Sequence, residues 1–131
     1  MAAQQSNAVG WFEIPVMDME RAVKFYEAVL GHKLERHKMH EVDMAWFPMN
    51  MDIPGATGSL VCNPEFYQPS EKNGTLIYFT AFSGDVNNEL KKVTENGGKV
   101  LVPKTKIGED YGYMAVILDS EGNRIALHSQ Q

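Results

Sequence analysis

The chain of 131 residues is short of several features that would each mark a class of protein. It holds one cysteine, Cys62, so no disulfide can close within it, and that usage fits a reducing cytoplasm. No base stands beside Cys62 in sequence, which suits a small buried residue better than a nucleophile. No apolar run approaches the roughly 18 residues of a membrane-spanning helix. Residues 1–7 lack the basic start and apolar stretch of a signal peptide, so a cytoplasmic location is expected. Positive charge is scarce: 12 Lys and Arg against 17 Asp and Glu leave a net charge of -5, which disfavours nucleic acid and anionic membranes as partners. Against these absences, 44% hydrophobic residues argue for a folded globular chain, and the length suits one domain burying about two thirds of its unfolded surface.

The pattern is clearest between Val9 and Leu34. Trp11 to Val16 has the aromatic and β-branched composition of a strand. Asp18 can accept the free N–H groups of a following helix, and Ala22, Val23, Phe25, Tyr26, Val29 and Leu30 recur at helical spacing. Gly31 follows, where a left-handed residue ends a helix. The first eight residues read as a loose tail. Lys33 to Val42 suggests a strand and turn, Met44 to Met51 a strand carrying Pro48, and Ser59 to Cys62 a short strand. Asn63 to Gly74 has linker chemistry. Thr75 to Phe82 then restarts the series, with Asp85 capping a helix that bears Val86, Leu90 and Val93. Lys99 to Val102, Tyr113 to Leu118 and Asn123 to His128 are strands, and Lys104 to Gly112 the longest loop of this half.

The halves superpose at an offset of 67 residues, pairing Trp11 with Tyr78, Gly31 with Gly98, Trp46 with Tyr113, Asp52 with Asp119 and Gly55 with Gly122. A tandem βαβββ repeat accounts for all five pairs. The predicted organisation is one domain, with module one at about 8–63, a linker at about 63–74 and module two at about 75–129.

A strand, Val-x-Asp, a helix containing Phe-Tyr and a closing Leu-Gly, with echoes at Asp85–Gly98 and Asp119–His128, resembles the vicinal oxygen chelate superfamily. This superfamily includes the glyoxalase I, bleomycin-resistance and extradiol dioxygenase families. The resemblance implies an α+β fold in which two βαβββ modules form a curved, cup-shaped mixed sheet with helices on the convex face. It also implies a homodimer. Metal-dependent relatives hold a divalent ion in the cup through His or Glu on the first and last strands of each module. The matching positions here are Trp11, Tyr78, Ala126 and the neighbourhood of Ser59, none of which suits such an ion. No metal or other cofactor is therefore expected.

Strand alternation predicts what faces the cup instead. If Trp11 points inward so does Glu13; Tyr78 brings Thr80, and Ala126 brings His128. Glu13 and His128 are then candidates for metal-independent proton transfer, for fixing a polar ligand, or for a structural ion pair. Trp11, Trp46, Tyr78, Thr80, Tyr113 and Ala126 are candidate substrate-binding residues. Met39, Met44, Met49 and Met51 suit either core filling or an adaptable apolar site. His37 and His40 read as solvated, and His32 as a cation at the negative end of the helix dipole. Three functions stay open: a metal-independent binding protein or enzyme for a small organic molecule, a metal-dependent lyase or dioxygenase of the glyoxalase I type, and a sequestering protein of the bleomycin-resistance type.

Overall fold

A computed structural model describes Asn7 and residues 9–131; the tail reading falls mainly on residues outside this range, as does the side chain of Met39. Among the described residues, eight strands and two α-helices follow in the order β1 (Phe12–Pro15), α1 (Met19–Leu30), β2 (Glu35–Met39), β3 (Val42–Trp46), β4 (Gly58–Cys62), β5 (Tyr78–Thr80), α2 (Val86–Leu90), β6 (Lys99–Lys106), β7 (Tyr113–Leu118) and β8 (Arg124–Ser129). The strands form two four-stranded sheets ordered β1-β4-β3-β2 and β5-β8-β7-β6. In each, the first strand pairs parallel to the last and the rest pair antiparallel. The fold is α+β and built from two βαβββ modules, with the strands hydrogen-bonded in two sheets of four rather than one of eight.

α1 forms where its capping chemistry predicts. The Asp18 carboxylate accepts from the Arg21 N–H at 3.1 Å, and Gly31 ends the helix at φ +77° with its N–H donated to the Glu27 carbonyl. Its apolar stripe buries Met19, Ala22, Phe25, Tyr26, Val29 and Leu30. α2 is shorter than its apolar pattern suggests. It stops at Leu90, a 3₁₀ turn occupies Thr94–Asn96, and Gly97 is the left-handed residue that closes it. Gly98 is glycine for a steric reason: a Cβ there would strike the Leu118 carbonyl and the Phe25 ring.

The helices share one core. Phe12, Phe47 and Phe79 meet at ring separations of 5.4 to 5.6 Å across the seam between the modules, with Tyr26 packed against Phe47 and Phe79. Polar contacts also cross the seam. The turn after β7 places Asp119 so that its carboxylate accepts from the Tyr26 hydroxyl at 2.6 Å, the Asn123 side chain at 3.1 Å, and the Asn123 and Glu121 N–H groups. Asn123 in turn donates to the Pro15 carbonyl at 2.7 Å. Glu121 accepts from the Met17 and Asp18 N–H groups, both at 2.9 Å, and from the Arg21 guanidinium at 2.6 and 2.9 Å. A carboxylate of module two thus completes the N-terminus of the helix of module one, where negative charge is favoured.

The constant offset of 67 does not survive in the strands. Trp46, Ser59 and Glu13 stand opposite one another in the first sheet, as Met114, His128 and Thr80 do in the second. Their separations are 68, 69 and 67 residues respectively. Module two thus holds one residue more between β5 and β7, where β6 is bulged, and one more between the paired positions of β7 and β8. The counterpart of Trp46 is therefore Met114, not Tyr113, and a one-residue change sends a strand side chain to the opposite face. The Asp52 pairing fails similarly: Asp52 is exposed in its loop, whereas Asp119 is buried. β6 runs through Pro103 to Lys106 with bulges, so Lys104 and Lys106 lie on a strand and the connecting loop is only 107–112.

Candidate ligand-binding site

Alternation in β1 puts Phe12, Ile14 and Val16 with the core, leaving Trp11 and Glu13 on the face the helices do not cover. In β8 the core takes Ile125 and Leu127, leaving Ala126 and His128 on that open face. Tyr78 stands directly opposite Ala126, and Thr80 opposite His128.

Glu13 and His128 nevertheless form no pair. The Glu13 carboxylate accepts from the Tyr67 hydroxyl at 2.5 Å and, at 3.4 Å, from the Trp11 indole N–H. The bond to Glu13 raises the pKa of the Tyr67 phenol. His128 Nε2 lies 2.7 Å from the Tyr111 carbonyl, an acceptor only, so this nitrogen carries the proton and ties β8 to the loop 107–112. Each group is held by separate partners, so the ion-pair alternative gives way to two local anchors. Tyr67 lies in the linker, and no spacing in the sequence marks it.

Tyr113 is also displaced from its expected role. It stands opposite Ser129 on the helix-covered face, where the Lys104 ammonium sits 4.5 Å from its ring centre and 2.9 Å from the Asp85 carboxylate. Trp46 does lie on the open face, edge-to-face with Trp11 at 5.6 Å. His37 stacks on Trp46 at 3.8 Å, so it is a packed ring rather than a solvated surface residue. The Trp46 indole N–H is buried without a partner among the described residues.

Among the described residues, a larger and a smaller cavity flank β1. The larger, about 790 Å³, opens at the seam between the modules beneath the loop 47–57. Trp11, Tyr78 and Thr80 line it, together with Phe47, Phe79 and Phe82. Met49, Met51 and Ile53 of the loop add exposed apolar walls. The smaller, about 310 Å³, lies between β1 and the linker and is lined by Glu13, Lys72 and Arg124 among others. Trp46, Tyr113, Ala126 and His128 line neither.

His32, just past α1, also lines the larger cavity. Its ring meets Phe82 edge-to-face at 4.5 Å and approaches Phe47 at 6.0 Å. Burial lowers its pKa below the ordinary histidine value, so it is neutral at pH 7 and not the helix-capping cation its position suggests. No local signal marks Phe82, fifty residues on, as the ring that covers it.

The positions where relatives carry metal ligands fit no divalent ion. Trp11 and Ala126 have no donor atom to offer, and the Ser59 hydroxyl is spent on the Ala45 and Leu60 carbonyls. Among the described residues, no three His, Cys, Asp or Glu side chains converge as a metal site would require.

Two βαβββ modules about an open, ligand-sized seam define a class of protein that known sequences and structures make specific. Residues 8–127 match the model of the Glyoxalase/Bleomycin resistance protein/Dioxygenase superfamily, and the chain belongs to that family. A glyoxylase-like domain-containing protein from Didymella fabae is 28% identical over 91% of each chain. Glyoxalase I from Zea mays superposes with a TM-score of 0.70 at 22% identity, over 92% of this chain and 45% of that one. TnmS3, an antibiotic-binding protein from Streptomyces sp. CB03234, superposes at 0.59 with 24% identity over 100% and 99% of the two chains. No helix is long and apolar enough to cross a membrane among the described residues.

Proposed function

We propose that the protein binds a small, predominantly apolar organic molecule in the seam cavity, without a protein-held divalent ion. The observation that carries this reading is the cavity itself: its volume suits an organic ligand, and its walls are the aromatic and methionine side chains of β1, β5 and the loop 47–57. The separate anchoring of Glu13 and His128 favours binding over turnover, in the manner of the sequestering reading. A lyase or dioxygenase of the glyoxalase I type would need ligands that Trp11 and Ala126 do not provide.

A neutral, environment-sensitive dye such as Nile red is the direct probe. It is expected to bind at micromolar concentration with a rise in emission, and Trp11→Ala together with Met51→Asp should weaken it about tenfold at unchanged melting temperature. Dye binding indifferent to both changes would place the ligand elsewhere. Elemental analysis after purification is expected to find far less than one zinc, nickel, iron or manganese per chain; close to one, lost together with dye binding on chelation, contradicts the metal-free reading.

The same reading includes a cytoplasmic homodimer. β1 and β5 are edge strands of their sheets, and β2 and β6 are the other edges, a liability that association relieves. Sedimentation at micromolar concentration should give about twice the 14.7 kDa of one chain; a single-chain species alone would refute the dimer.

A further inference from the structure

We infer that the seam cavity selects uncharged ligands bearing a hydroxyl or similar hydrogen-bonding group, and that His32 is the residue that meets this group. The inference rests on the cavity being the ligand site, as proposed above, and adds which ligands it takes.

The lining explains the charge preference. None of the nineteen residues around the cavity is Lys, Arg, Asp or Glu. A carboxylate, phosphate or ammonium entering it would lose water and gain no counter-charge, which is costly in an apolar setting. Beyond the walls the net charge of -5 further disfavours anions.

The hydrogen-bonding preference comes from an inventory of the polar side chains there. Thr57 donates to the Phe47 and Pro48 carbonyls, and the exposed Asn50 amide accepts from the Asp52 N–H through its oxygen and leaves its N–H groups to water. The Trp11 indole N–H is directed at Glu13. Tyr78 and Thr80 are exposed, so water satisfies them whether or not a ligand is present. His32 differs from all of these. Its ring is partly buried between Phe47 and Phe82, and burial alone perturbs it, with no protein partner contributing. An imidazole kept neutral has one N–H to donate and one nitrogen to accept, and it suits a hydroxyl, which does both. Closing a ligand over His32 while leaving it unpaired forfeits the hydrogen bond that water supplies, so an apolar ligand of the same shape is penalised.

Three probes sharing one ring system test this: naphthalene, 2-naphthol and 2-naphthoate, measured by equilibrium dialysis at pH 7, where 2-naphthol is un-ionised and 2-naphthoate an anion. The wild-type protein is expected to bind 2-naphthol about tenfold more tightly than naphthalene, and 2-naphthoate at least tenfold more weakly than 2-naphthol. His32→Leu should bring the naphthol-to-naphthalene ratio close to one while naphthalene binding persists. His32→Gln, which keeps a donor and an acceptor, should recover part of the ratio. A wild-type ratio near one, a ratio unchanged in His32→Leu, or 2-naphthoate binding as well as 2-naphthol would each overturn the inference and leave the seam cavity standing as a binding site. The wild-type ratio decides the matter even if a variant folds poorly. Failure of all three probes and of Nile red to bind would remove the cavity reading itself.

Discussion

Asp119→Ala is expected to cost about 3–5 kcal/mol of stability, close to a third of what a domain of this size can spare. The carboxylate is buried and accepts four hydrogen bonds, one of them from the hydroxyl of Tyr26, itself wholly buried. Removing it leaves the buried Tyr26 hydroxyl and Asn123 N–H without partners, and the part-buried Glu121 N–H as well, and each buried orphan costs about 1–3 kcal/mol. The Asn123 side chain keeps the Pro15 carbonyl, which limits the loss. The melting temperature should fall by about 10–15 °C, and Tyr26→Phe should cost far less, because it removes a donor and leaves Asp119 with three others. Urea unfolding at pH 7 measures both; a loss under about 1 kcal/mol for Asp119→Ala would show that the network does not hold the seam.

Glu121 supplies the second large effect, and it depends on pH. Burial opposes its charge, but hydrogen bonds from Arg21, from the Asp18 and Met17 N–H groups and from Ser120 outweigh this and hold its pKa down to about 2, against the ordinary 4.5. A carboxyl whose folded pKa is depressed stabilises the fold fully above its unfolded pKa and loses that contribution as pH falls through the folded value. The window is therefore about 4.5 down to about 2, and the contribution at pH 7 is about 3 kcal/mol at most. Asp119 acts in the opposite sense: burial raises its pKa, so the fold takes up that proton more readily than the unfolded chain does. Comparing wild type with Glu121→Gln isolates Glu121. The stability gap between the two should be about 2–3 kcal/mol at pH 7 and shrink steadily between pH 5 and pH 2. A gap that stays constant over that range would contradict the assignment.

Much of the fold was legible because its signals are local. Asp18, the apolar stripe to Leu30 and Gly31 specify α1 with no help from the rest of the chain. Asp85 likewise starts α2, and the repeat of these signals disclosed two modules. Side-chain direction was legible for β1, β5 and β8, where Trp11, Glu13, Tyr78, Thr80, Ala126 and His128 all lie off the core face. What the sequence hid depends on loop length and on contacts far along the chain. Module two holds one more residue ahead of β7 than module one does ahead of β3, in a stretch where β6 is bulged, and this set Tyr113 on the face opposite to that of Trp46. His32 looked like a helix-capping cation because neither Phe47 nor Phe82 announces that it will pack there. Tyr67 took the place at Glu13 that parity alone had offered to His128.

The clasp at Asp119 and Glu121 also marks how far the two copies of the repeat have specialised. Glu121 completes the start of α1, yet the corresponding loop of the first module returns no such service to α2, whose Asp85 is steadied by Lys104 of its own module. The dependence between the two modules runs one way. A chain made of two first modules would keep the strand order and lose the clasp, whereas one made of two second modules would carry Asp119 and Glu121 twice but lack Tyr26 and Arg21 to receive them. Recombination that exchanges whole modules between relatives should therefore succeed only when the turn after β7 and the start of α1 travel together.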